Sequence, residues 1–72
     1  MYYNAKDFFK DFRTWIESAK KCENWDEYSY YHGRLEGMND IAYHTGLIPF
    51  NTWNSLETLL QKLTYETIEN GC

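Results

Sequence analysis

The stretch NWDEYSYYHGRLEGMNDIAYHTGLIP, residues 24–49, decides the fold of this chain. Asn24 followed three residues later by Glu27 has the form of a capping box, with Asn where Ser or Thr is usual. Tyr28, Tyr31, Leu35, Met38 and Ala42 then recur at alternating steps of three and four, which marks one face of an α-helix. Gly46 followed by Leu47 fits a left-handed termination with an apolar residue beyond it, and Pro49 forbids simple continuation. The spacing predicts a helix over 25–45.

The flanking segments repeat the pattern. On a helical wheel centred on Phe12, the side chains of Ala5, Phe8, Phe9, Trp15, Ile16, Ala19 and Cys22 share one face, which predicts an amphipathic helix over 5–22. Asn4 can cap its start, Asp7 sits in its first turn, and Glu17 and Lys21 have the supportive i,i+4 spacing. Leu47, Ile48, Pro49 and Phe50 form an apolar connector suited to covering the end of a core. A third helix is expected over 52–69, capped by Asn51, Thr52 or Asn54. Its apolar line is Trp53, Leu56, Leu60, Leu63 and Thr67, widened by Leu59 and Ile68. The fold class is therefore all-α: one helical domain over 1–72, its three helices joined by short connections and packed antiparallel. At this length the core is close to the lower limit for independent folding, so a homodimer is one expected state.

Composition narrows the function classes. The 72 residues carry 7 basic and 11 acidic side chains, for a formal net charge of −4, which disfavours direct nucleic-acid binding because that needs several cations on one face. Residues 25–45 hold one basic and four acidic side chains, and residues 46–72 one and three, so the acidity lies in the second and third helices. No apolar run approaches the length of a membrane span. The first residues lack the pattern of an export signal, so a cytoplasmic location is expected, with Cys22 and Cys72 both as thiols.

The middle helix has a second face. Tyr30, Gly33, Gly37, Ile41 and His44 lie opposite its apolar line, with Arg34 beside them. Each interior glycine costs about 1 kcal/mol relative to alanine, so a compensating close contact is expected at Gly33, Gly37 and Ile41. Packing within the chain is the first expectation there, and a dimer seam the second. His32, Glu36, Asp40 and His44 are metal-ligand types at every fourth position, but the stripe drifts round the helix, so solvated charge-assisted pairs are expected and no metal site. No activated nucleophile, phosphate-binding loop or cofactor motif stands out, which points to a protein without enzymatic activity.

Aromatics reach 19% of the chain and concentrate with acids between Trp25 and Asp40. Tyrosine beside carboxylates suits docking to a basic protein surface, including one that normally holds nucleic acid, and the candidate residues are Tyr30, Arg34, Glu36, Asp40, Tyr43 and His44. Two other readings use the same residues. Tyr30, Arg34, His44, Trp25 and Tyr43 could hold a nucleotide across a dimer seam. The Ala42-x-x-x-Gly46-Leu47 corner looks like the centre of a helix-turn-helix DNA reader, although the following helix offers Thr52, Asn54, Ser55, Glu57 and Gln61 with only Lys62 as a cation. In class, this short, acidic, tyrosine-rich chain resembles the small inhibitors that phages and mobile elements encode against host defence, anti-CRISPR proteins among them. That resemblance implies stoichiometric occlusion of a protein partner.

Overall fold

A computed structural model describes residues 3–71 of the chain. It contains three helices: α1 over Ala5–Lys20, α2 over Trp25–His44 and α3 over Phe50–Asn70. Asn4 caps α1 by accepting from the Asp7 amide, and the Asp7 carboxylate accepts from the Asn4 amide in return. Asn24 caps α2 through the Glu27 amide at 2.9 Å. Helix α2 ends in a full Schellman closure: the Gly46 amide donates to the Tyr43 carbonyl and the Leu47 amide to that of Ala42. Gly46 sits at φ 78°, the left-handed region that glycine adopts without steric cost.

Two boundaries differ from expectation by two residues, and the ends of α2 and α3 by one. Helix α1 stops at Lys20, because Lys21 leaves helical geometry and its amide turns back to Ser18 and Ala19. Helix α3 starts at Phe50, two residues early, and none of the expected side-chain caps at Asn51, Thr52 or Asn54 is used. Pro49 itself is the N-cap residue. It has no amide to leave unsatisfied, and its carbonyl accepts the first helical bond, from Trp53 at 3.0 Å.

Helix α2 is the centre of the packing. It lies against both α1 and α3, which meet each other only marginally, and the molecule measures 37 × 25 × 15 Å. Such a thin slab has one face of α2 turned inward and the other outward. The core takes Phe8, Phe12 and Ala19 from α1, Tyr28, Leu35 and Ala42 from α2, Ile48 from the connector, and Leu60 and Leu63 from α3. Trp15, Ile16, Cys22, Tyr31, Met38, Trp53 and Leu56 flank it, half-buried.

The apolar stripes are narrower than the sequence suggests: Phe9, Leu59 and Ile68 are exposed, since a thin layer covers less of each helix than a closed bundle would. Cys22 packs against the core but is disulfide-bonded, which corrects the expected thiol there. Cys72 lies outside the described residues. Among the described residues no helix is long and apolar enough to cross a membrane.

Asn39 breaks the apolar pattern. It is fully buried at 0% exposure between α2 and α3, where its Nδ2 donates to the Trp53 carbonyl at 3.1 Å and to Glu57 Oε1 at 3.0 Å. Its Oδ1 has no hydrogen-bond partner among the described residues. Above it in the same seam, the Tyr28 hydroxyl lies 2.8 Å from Thr64 Oγ1. Thr64 gives its own proton to the Leu60 carbonyl, so Tyr28 is the donor of that interhelical bond.

Candidate functional site

The outward face of α2 carries Gly33, Gly37 and Ile41. A Cβ added at Gly33 or Gly37 would meet nothing within 4 Å, so the expectation of close packing within the chain is corrected. Both neighbouring helices contact α2 on its inner side, which leaves the glycines without a close packing partner among the described residues. Ile41 is 66% exposed and Tyr30 60%, so the face is open and partly apolar along its length.

Two aromatic groups border that face. On the α1 side, the Arg34 guanidinium sits 4.4 Å from the centroid of the Trp15 ring, while Tyr30 and Tyr31 pack edge-on or tilted against the same indole at 6.5 and 5.7 Å. A guanidinium stacked on an indole keeps its edge N–H groups for an outside acceptor. On the α3 side, Tyr43, Phe50 and Trp53 form a corner with ring centroids 5.6–5.9 Å apart. Trp53 Nε1 donates to Asp40 Oδ1 at 2.9 Å, which fixes an acid beside this corner. Phe50 is 57% exposed there.

Five of the six candidate partner residues therefore divide between two places. Tyr30 and Arg34 belong to the α1 border; Asp40, Tyr43 and His44 belong to the α3 border, with the His44 ring 5.5 Å from Tyr43. Tyr43 is half-buried rather than exposed. Glu36 pairs with His32, whose Nδ1 is 2.9 Å from its Oε1, and belongs to neither group. Of the expected every-fourth-residue pairs this one forms, whereas Asp40 turns to Trp53 instead. Trp25 lies against Tyr28, 5.3 Å between centroids, in a shallow groove with Ser29, His32, Gly33, Glu36 and Thr64. It does not join Tyr30, Arg34 or Tyr43, so one chain does not assemble the expected nucleotide-holding set.

Trp15, Phe50 and Trp53 were not among the candidates, although each anchors a charged member of the site or extends it. Trp15 and Trp53 read as core positions from periodicity and are half-buried, presenting one ring face inward and a cation or acid partner outward. Phe50 follows a proline and reads as connector; its place in the first turn of α3 turns it outward.

Cations cluster on one part of α1, which also carries Asp7, Asp11 and Glu17, whereas α2 and α3 are net acidic. The cations Lys6, Lys10 and Arg13 surround exposed Phe9 on α1, while Asp26, Glu27, Glu36 and Asp40 lie on α2 and Glu57, Glu66 and Glu69 on α3. Among the described residues no group of three or more His, Cys, Asp or Glu side chains converges as a metal site would. Comparison with protein-family models, curated proteins and solved structures finds no match.

Proposed function

We propose that this chain is a non-enzymatic binding protein that docks a protein partner through the acidic aromatic corner where α2 meets α3. The carrying observation is the arrangement of Tyr43, exposed Phe50 and Trp53 around Asp40, with Trp53 holding the carboxylate in place at 2.9 Å. Exposed and half-exposed aromatics bury large area at little entropic loss, and a pre-positioned acid beside them selects a basic or hydrogen-bond-donating surface. Glu36 and Glu57 extend the negative field along α2 and α3, and His44 flanks it. Such a corner suits occlusion of a surface that otherwise holds nucleic acid, in a cytoplasmic setting, as the class resemblance to phage-encoded inhibitors of host defence implies.

The test is affinity capture from extracts of a host cell by wild type beside Phe50→Ala and Asp40→Lys variants whose helicity is unchanged. A protein retained by wild type, lost from both variants and reduced in nucleic-acid binding when the chain is added supports the reading. Equal capture by all three sinks it. Direct duplex binding that falls steeply with salt would instead favour the helix-turn-helix reading, and a thermal upshift with nucleotides would favour ligand sequestration.

A further inference from the structure

We infer that the outward face of α2 is a self-association surface on which a second copy of this chain docks with its α2 running in the same direction. Four observations meet there. Gly33 and Gly37 leave the helix backbone bare, since a Cβ added at either would meet no atom of the described residues beyond its own turn within 4 Å; Ile41 continues the same i,i+4 ridge and is 66% exposed. Arg34 and Asp40 flank the ridge, and each is held from behind by an indole, Trp15 and Trp53 respectively. This face shares Asp40 with the α2–α3 corner of the proposed function but otherwise lies apart from it, and the inference does not depend on that reading.

The charges choose the occupant and its direction. Arg34 and Asp40 stand three residues before and after Gly37, so they lie about 60° to either side of it round the helix. When the ridges Gly33-Gly37-Ile41 of two copies are laid together, the helices cross at about −50°, the commonest ridge-into-groove angle. With the helices parallel, the two-fold axis carries the Arg34 flank of one protomer onto the Asp40 flank of its partner, and the pair forms twice. With the helices antiparallel, Arg34 faces Arg34 and Asp40 faces Asp40. Only the parallel crossing is complementary in charge, and it also buries Ile41 against its copy while the glycines admit the close approach. The α2–α3 corners of both protomers then point toward one end of the dimer.

Solution mass decides this, read by sedimentation equilibrium over a roughly hundredfold concentration range. Wild type is expected to pass from monomer to dimer. Arg34→Asp alone and Asp40→Arg alone each place like charges at both crossings and should weaken association by about tenfold or more, whereas an equimolar mixture of the two variants restores both pairs and should form the heterodimer. Gly37→Leu should give a folded monomer, since nothing in the chain occupies that space. A wild type that stays monomeric throughout overturns the inference, and so do single charge reversals that associate as wild type does, the outcome of an antiparallel or unrelated interface. Circular dichroism of each variant separates loss of association from loss of fold, and the charge variants keep the test decisive if Gly37→Leu does not fold. Capture of a foreign protein at the corner is read with Phe50→Ala, which leaves Arg34 and Asp40 intact, so either idea can fail alone.

Discussion

The Arg34 guanidinium lies 4.4 Å from the centre of the Trp15 ring, so a cation of α2 is held across the seam by an aromatic of α1. Lysine at position 34 keeps the charge but not the flat, weakly hydrated stacking partner. Arg34→Lys is expected to lower stability by about 0.5–1 kcal/mol, measured by urea unfolding followed through tryptophan fluorescence. An unchanged midpoint would show that the stack contributes nothing to the fold.

Asn39 offers a sharper case. Its amide donates to two oxygens, and replacement by aspartate puts a carboxylate against the Trp53 carbonyl and the Glu57 carboxylate with no donor between them. Asn39→Asp should therefore cost about 3 kcal/mol or more at neutral pH, the scale of an uncompensated buried charge. The loss should shrink as pH falls and the introduced carboxyl takes a proton, because the protonated form can donate again. Urea midpoints at neutral and acidic pH, compared with wild type, check both statements.

Glycine-to-alanine changes should have opposite signs at two places in the same helix–turn unit. Gly33→Ala, in a helix interior with free space beside it, is expected to stabilise the monomer by about 1 kcal/mol. Gly46→Ala forces a side chain into φ 78° and should destabilise by about 1–2 kcal/mol. Thermal unfolding at a concentration where the chain is monomeric separates the two.

Tyr3 links stability to alkaline pH. Its hydroxyl donates to Asp11 Oδ2 at 2.8 Å. Partial burial, that hydrogen bond and the negative charges of Asp11 and Asp7 together push its pKa up from 10.0 to about 12. The folded chain thus holds the proton more tightly than the unfolded chain, so the contribution is complete below pH 10 and is lost as pH rises from 10 toward 12. Ultraviolet titration of the phenolates should show a late-ionising contribution from Tyr3, which Tyr3→Phe should remove. A Tyr3→Phe titration superimposable on wild type after scaling for tyrosine number would contradict it.

The inner face of α2 was legible because burial imposes a period: Tyr28, Leu35 and Ala42 recur at helical spacing and are buried, and Gly46 terminates the helix by the conformation only it adopts cheaply. Asn39 was not legible, since a polar residue on a helix reads as solvated until a second helix supplies acceptors for it. The early start of α3 was hidden for a related reason. Periodicity begins with the first residue packed against the core, half-buried Trp53 here, whereas the backbone turn begins wherever the proline permits it.

The candidate site divides in the same way. The residue types of a binding surface, Tyr30, Arg34, Asp40 and Tyr43, stand out in the sequence because acids and aromatics at that density exceed what a core needs. Their partition into two borders, and the indoles that hold Arg34 and Asp40, depend on which helices flank α2. By itself the sequence determined three helices, the asparagine caps of the first two and the inward stripe of each, all of which follow from local backbone preference and hydrophobic period. Only the tertiary structure decided that α1 and α3 both pack on the inner side of α2 and leave its glycine face bare, because the choice of neighbour rests on contacts between residues distant in the chain, which no local period encodes.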